Sequence, residues 1–339
     1  MKNVLVYCEV ENQEIASISQ ELLSAGKKLA EKLGVELEAM VFGKNLQNID
    51  KQIAPYGVDR IFVADDARLE PYTTLPHAAL ATHILKKEDP QIVLLGATSV
   101  GRDLAPRIAS AVGCGLTADT TILDIGSHYV AKEKKTYDNL LYAIRPAFGG
   151  SIMANIINWE MHPQMATVRE GVMKNEIFDE NYKAEIIPIA VDEILSDSDF
   201  VVKIIKREME ASGVNLKDAP IIVAGGYGVG SKENFDQLFE LAEVLGGEVG
   251  GSRAAVDAGY ISHDRQIGQT GVTVRPKLYI AAGISGAVQH TAGMQNAAMI
   301  ISINTDPNAP INEIADYVIV GDLNDVIPKM IKAYKKNTK

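Results

Sequence analysis

Short apolar runs that stop at glycine or a polar residue and then give way to helical spacing recur along this chain, and that alternation limits the folds open to it. Val4 to Tyr7 is a β-branched run, after which Ile15, Ile18, Leu22, Ala25 and Leu29 recur on one helix face up to Gly34. Val35 to Phe42 and Arg60 to Ala64 read as further strands and His77 to Lys87 as a helix. Ile92 to Leu95 is a fourth strand ending in Gly96-Ala97-Thr98-Ser99, with a helix from Asp103 to Val112 after it. Strands alternating with helices predict an α/β fold, a mainly parallel sheet with helices on both faces.

The alternation then restarts. Pro220 to Ala224 reads as a strand, Gly225 to Gly230 as a glycine loop, and Phe235, Leu238, Leu241 and Leu245 as a helix capped by Ser231. Lys277 to Ala282 is again a strand that breaks at glycine, and Met299 to Ile303 and Tyr317 to Val320 follow as strands. Ile186 to Ala190 closes the first series, and the charged stretch from Lys203 to Lys217 carries few strong apolar positions. Two domains are therefore expected, 1–205 and 206–339, a natural division for 339 residues.

Charge and cysteine usage remove several classes of function. A net charge of −11 argues against a nucleic-acid surface, and the only basic cluster, Lys335, Lys336 and Lys339, reads as a solvated end. Cys8 and Cys114 lack CxxC spacing, so zinc and iron–sulfur sites do not fit and a reducing cytoplasm does. His77, His83, His128 and His162 share no metal-ligand spacing and are expected at the surface or the core edge. The start runs straight into a strand with no export signal, and no apolar run approaches the roughly 18 residues of a membrane span, so a soluble, cytoplasmic chain with no transmembrane segment is expected.

The strongest chemical character lies in Gly250-Gly251-Ser252-Arg253-Ala254-Ala255-Val256-Asp257-Ala258-Gly259 and in Gln266 to Gly271. Small residues let a backbone approach a flat or charged ligand, and a lone Arg253 among them would be a fixed positive charge. Asp257 fits a capping or Arg-pairing role. The loop Gly225 to Gly230 has a phosphate-cradle layout, although not in GxGxxG register. Ser285 and the amides after it are expected at a helix start, where unpaired N–H groups and the dipole favour a pyrophosphate. Several polar strand ends together predict one extended dinucleotide across the sheet edge. Gly96 to Arg102 reads as a structural turn in preference to a phosphate site, and Ala143 to Gly150 either as a subunit or interdomain contact or as a β-turn with a surface arginine.

Gly251 to Gly259, Gln266 to Gly271, Gly283 to His290 and Ile303 to Pro307, with weaker stretches at Gly96 to Arg107 and Arg145 to Gly150, closely resemble the alpha-subunit family of electron transfer flavoproteins over essentially the whole chain. The resemblance implies FAD in a Rossmann-like C-terminal domain. Arg253 would lie beside the isoalloxazine, with Ser252, Ile267, Gly268, Gln269 and Thr270 around it and the Thr270 hydroxyl toward N5. Ser285, Gly286, Ala287, Val288, Gln289 and His290 would hold pyrophosphate and ribityl, His290 reaching a flavin carbonyl. Asn304, Asp322 and Leu323 would hold the adenosine end. Tyr227 stands where the family commonly has arginine, which puts one phosphate or adenosine contact in doubt.

A unit charge about 4 Å away is worth about 4 kcal/mol at an effective dielectric near 20, so Arg253 with His290 would stabilise an anionic semiquinone. The family further implies a beta subunit as heterodimer partner packed on the first domain, an acyl-CoA dehydrogenase or another flavoenzyme as electron partner, and no catalytic or metal residues. Ile303-Asn304-Thr305-Asp306-Pro307 looks like anaerobic members, some of which bifurcate electrons from NADH as oxidoreductases. The alternative is a stand-alone NAD-binding enzyme or dinucleotide sensor with a similar C-terminal domain.

Overall fold

The computed structural model describes residues 2–147, 152–206 and 214–337. The first two ranges form one compact unit and the third another. The N-terminal unit opens with β1 (Val4–Cys8), a small hairpin β2 (Val10–Glu11) and β3 (Glu14–Ile15), α1 (Ser17–Leu33), β4 (Leu37–Gly43), α2 (Ile49–Ile53), β5 (Arg60–Asp65), α3 (Thr74–Glu88), β6 (Ile92–Gly96), α4 (Ser99–Val112) and β7 (Leu116–Thr120). It continues with β8 (Ile122–Val130), β9 (Lys135–Ala147), β10 (Ile152–Ile156), β11 (Gln164–Val168), β12 (Glu185–Pro188) and α5 (Val191–Ile194).

Among the described residues, seven of these strands form one parallel sheet in the order β12-β5-β4-β1-β6-β11-β7. Successive residues of β1 serve opposite faces. Val4, Val6 and Cys8 join Leu22 and Leu29 of α1, whereas Leu5 and Tyr7 join Leu80 and Ile84 of α3 and Leu104 and Ile108 of α4. A strand buried on both faces has no polar side to display, which is why β1 and β6 are unbroken apolar runs.

Two features differ from expectation. Strands β8, β9 and β10 form a separate antiparallel sheet, and Arg145 sits inside β9 opposite Ala154, so no β-turn occurs at 143–147; residues 148–151 lie outside the described range. His77 is fully buried, packed on Tyr72 and Phe42 with Nδ1 at 2.9 Å from the Thr73 carbonyl. At the Gly96 to Arg102 turn, Thr98 Oγ1 donates to Glu9 Oε1 at 2.7 Å, and the buried acid leaves no electrostatic room for a phosphate. Cys8 is buried and Cys114 half-buried, both as free thiols.

The C-terminal unit contains β13 (Ile221–Gly225), α6 (Asp236–Leu245), β14 (Glu248–Gly251), α7 (Arg253–Asp257), β15 (Leu278–Ala282), α8 (Val288–Thr291), β16 (Ile300–Asn304), β17 (Tyr317–Val320) and α9 (Leu323–Asn337). Its strands pair in parallel in the order β14-β13-β15-β16-β17. Val223, Ile280 and Ile303 pack against α6 and α9, while Ile222, Tyr279 and Ala281 pack against irregular segments around Ile267, Ile284, Met294 and Ile311. Lys335 and Lys336 are exposed, as expected, but they ride on the ordered helix α9, whose Ile327 and Ile331 are core and whose Lys335 pairs with Glu240 at 2.8 Å; Lys339 lies outside the described residues. From β13 the chain passes to β14 on one side, then returns to β15 on the other. The strand order therefore reverses between β13 and β15, and ligands of parallel sheets bind at the carboxyl ends of strands beside such a switch point.

Among the described residues no helix is long and apolar enough to cross a membrane.

Candidate functional site

The loops after β13 and β15 meet backbone to backbone. Gly226 N donates to the Ala282 carbonyl at 2.9 Å and Gly228 N to the Gly283 carbonyl at 3.1 Å. A Cβ on Gly226 would overlap the Gly283 carbonyl oxygen, and one on Gly228 would lie 2.8 Å from it. Gly283 itself has φ +61, so glycine is required on both sides of the contact. Beside this junction runs a cleft of about 850 Å³, within the range of a cofactor site.

Glycines 250 and 251 have a different purpose from the one expected. They end β14, and Gly250 leaves space for the Ile267 side chain while a Cβ on Gly251 would lie 2.6 Å from Ile261. Internal packing, and not ligand approach, accounts for them. Ser252 is the N-cap of α7, its hydroxyl accepting from Ala255 N at 3.3 Å. That cap aims Arg253 outward at the cleft: its side chain is 69% exposed and its Nε stands 3.4 Å from Asp257 Oδ2. Arg253 is therefore not a buried structural arginine, and Asp257 is its partner across one turn.

The turn from Ile267 to Thr270 closes another wall. Gln269 N donates to the Gln289 carbonyl at 2.7 Å, which ties the turn to α8. Gln266, buried, donates from Nε2 to Thr270 Oγ1 at 3.0 Å. A hydroxyl has one proton, so Thr270 keeps its own to donate elsewhere, and it lines the cleft.

His290 is buried, and both ring nitrogens are taken by protein: Nδ1 lies 3.1 Å from the Ile267 carbonyl and Nε2 2.9 Å from the Tyr279 hydroxyl. Burial pushes its pKa down to about 4, so it is neutral at pH 7. The ring thus adds no charge to that of Arg253, and with both nitrogens engaged it has none spare for the flavin carbonyl it was expected to reach.

Helix α8 has four residues and begins three residues after Ser285, so the helix dipole supplies little. The donors are the loop amides themselves: among the described residues, those of Ser285, Gly286, Ala287 and Val288 donate to no backbone carbonyl. Asn304 is braced at both ends, Nδ2 donating to the Ile284 carbonyl at 2.8 Å and Oδ1 accepting from Asp306 N at 3.0 Å. Asp322 accepts from Asn324 N at 2.9 Å at the start of α9, and Leu323 is core.

All the residues named above as holding FAD line this one cleft except Gly286 and Val288. Gly286 instead packs its φ +89 backbone against Ile311, and Val288 faces solvent. Sequence reading missed Ala309, Pro310 and Asn324 in the lining, since none belongs to a strand end or glycine loop. Tyr227 stands at the mouth, its ring 5.9 Å from that of Tyr260 and nearly parallel to it. The long cleft, its glycine junction, its row of open amides and its single arginine define a dinucleotide-binding α/β protein.

Comparison with known sequences narrows the class. Residues 4–194 match the electron transfer flavoprotein domain and residues 215–295 the electron transfer flavoprotein FAD-binding domain. The chain is 47% identical over 336 residues to the electron transfer flavoprotein subunit alpha of Thermoanaerobacterium thermosaccharolyticum, covering 99% of this chain and 98% of that one. It is 47% identical to protein FixB of Clostridium saccharobutylicum, covering 99% and 97%. It is 40% identical to the acryloyl-CoA reductase electron transfer subunit beta of Anaerotignum propionicum, covering 99% and 96%. The chain belongs to the electron transfer flavoprotein alpha-subunit family, and its cofactor is FAD. The cleft suits that group: open amides for a pyrophosphate, a glycine junction that admits close approach, and a cation for an electron-rich ring.

Proposed function

We propose that this chain is one half of a heterodimer, that it holds FAD along the β13/β15 cleft, and that it passes single electrons between flavoenzymes. The observation that carries the reading is the placement of Arg253, Thr270 and the open amides of Ser285 and Ala287 along one cleft at a topological switch point. In this reading residues 1–205 pack on a beta subunit, residues 206–339 carry the flavin, and the complex works in the cytoplasm. Bound FAD would supply reversible one-electron chemistry. The chain's own residues set its conditions. Arg253 places a permanent positive charge at the rim, Thr270 offers a hydroxyl proton, and neutral His290 keeps the turn in place without adding charge. Asn304 and Asp322 stand at the far end, where an adenosine would lie.

An acyl-CoA dehydrogenase is the proposed electron partner, consistent with the acryloyl-CoA reductase named in one relative. Bifurcation from NADH belongs to the same proposal, on the resemblance of Ile303 to Pro307 to members that bifurcate. The match to an FAD-binding domain weighs against a stand-alone NAD-binding protein.

Purification with a family beta subunit tests this. A yellow heterodimer is expected, and its reductive titration should pass through a red anionic one-electron form. Two FAD per heterodimer would support bifurcation, whereas one FAD plus AMP would restrict the function to simple transfer. A stable colourless monomer that binds NAD and not FAD would overturn the carrier reading.

A further inference from the structure

We infer that Tyr279, which lies behind the cleft and outside its lining, is a positioning residue that fixes the direction of a hydrogen-bond chain through His290 and thereby holds the turn Ile267 to Thr270 against the cofactor. The inference rests on the reading that FAD lies along that turn.

Tyr279 is the second residue of β15. Its ring faces away from α6 and α9 into the apolar cluster of Ile267, Val274, Ile284 and Met294, and it is fully buried. Its hydroxyl has a partner there in His290 Nε2, at 2.9 Å. The other ring nitrogen, Nδ1, faces the Ile267 carbonyl at 3.1 Å. A carbonyl oxygen can only accept, so Nδ1 carries the proton. A neutral imidazole has one such proton, so Nε2 accepts and Tyr279 O–H donates.

The chain thus runs one way, from the Tyr279 hydroxyl to the imidazole and on to the Ile267 carbonyl. Doubly protonated His290 would turn Nε2 into a donor and strand the phenol proton among apolar side chains, which a buried polar group does not tolerate cheaply. Charged groups that line the same cleft are Arg253, Asp257, Asp306 and Asp322, and none is a hydrogen-bond partner of the ring. Burial accordingly keeps the ring neutral.

The consequence for the site is mechanical. The Ile267 carbonyl and the Gln269 amide, bonded to His290 and to the Gln289 carbonyl, pin both ends of the turn that carries Thr270. Gly293, the third residue after His290, packs directly on Gly268 with no room for a Cβ on either partner. A phenol on the central sheet thereby sets where a cleft-lining hydroxyl stands, although Tyr279 itself touches no ligand.

The test uses the heterodimer with histidines labelled at both ring nitrogens. The six histidines of this chain allow the signals of His290 to be assigned by their loss in His290→Gln. Expected in the wild type is a neutral ring protonated at Nδ1 and bare at Nε2, unchanged from pH 8 to pH 5.5. A ring protonated at Nε2, or a cation at pH 7, would overturn the inference without need of any variant. In Tyr279→Phe the ring should exchange between tautomers or begin to titrate, and FAD should leave about ten-fold faster, as the loss of one buried hydrogen bond implies. Equal FAD dissociation and an unchanged ring in a folded Tyr279→Phe would also overturn it, while normal flavin content in that variant would leave the site reading standing. A wild-type heterodimer that binds no flavin would overturn the site reading and the positioning role with it, distinguishable because the ring signals still report the chain's direction.

Discussion

At the scale of one residue, Arg253 shows how exposure tempers charge. A guanidinium 4 Å from a ring in a medium of dielectric about 20 would count for about 4 kcal/mol, but with 69% of this side chain exposed and Asp257 beside it, solvent and the paired carboxylate screen much of that. About 1 kcal/mol is the better expectation, or about 40 mV on a one-electron couple. Arg253→Ala in the FAD-loaded heterodimer should lower the first reduction potential by a few tens of millivolts, measured by spectroelectrochemistry. A potential unmoved in a variant that still holds FAD would remove Arg253 from the role. His290 is the residue whose behaviour was least legible beforehand: its type and spacing place it in the cleft, but only the Tyr279 hydroxyl and the Ile267 carbonyl reveal that its nitrogens are already engaged and that it carries no charge.

At the scale of the element, the cleft depends on two glycine loops in contact. Gly226→Ala would force a methyl group into the Gly283 carbonyl and part the loops, at a cost of about 1–3 kcal/mol in this kind of overpacking. Flavin content of the purified heterodimer should fall several-fold, with the far-ultraviolet circular dichroism kept. Full flavin content would mean that the junction is not needed. The strands β1, β4, β6, β13 and β15 were legible because burial makes each a largely apolar run, whereas β7 and β11, which carry threonine, aspartate or glutamine within the run, were not read as strands. The antiparallel sheet was not legible either: β8 and β9 are half-exposed, polar in alternation, and joined through Ala131 to Lys134 with no Asn-Gly or Asp-Gly turn to mark a hairpin. β14 was mistaken for ligand-facing backbone because its two glycines answer to Ile267 and Ile261, partners distant in sequence. α9 hid behind its lysines, since its apolar stripe has only a few members on an otherwise polar helix.

At the scale of the whole molecule, each unit carries one buried imidazole, His77 in the first and His290 in the second. Burial holds both at about 4 against an ordinary value of 6.5. Below pH 6.5 the unfolded chain takes up a proton at each position that the folded chain refuses until about pH 4. Stability fully present above pH 6.5 is therefore lost as the pH falls through that window, at up to about 1.4 kcal/mol per pH unit for each histidine. Urea titrations should show both units weaker at pH 5 than at pH 7.5, with His77→Gln flattening the dependence of the first and His290→Gln that of the second. Equal stability at the two pH values would contradict this. The two thiols bear on another vulnerability of an electron carrier, the oxidants that reduced flavin generates when it meets oxygen. Thiolates are the form that peroxide attacks, and burial pushes the Cys8 thiol far up and the Cys114 thiol to about 11. Near neutrality almost none of either is ionised, so both thiols of this chain are passivated against its own cofactor's by-products.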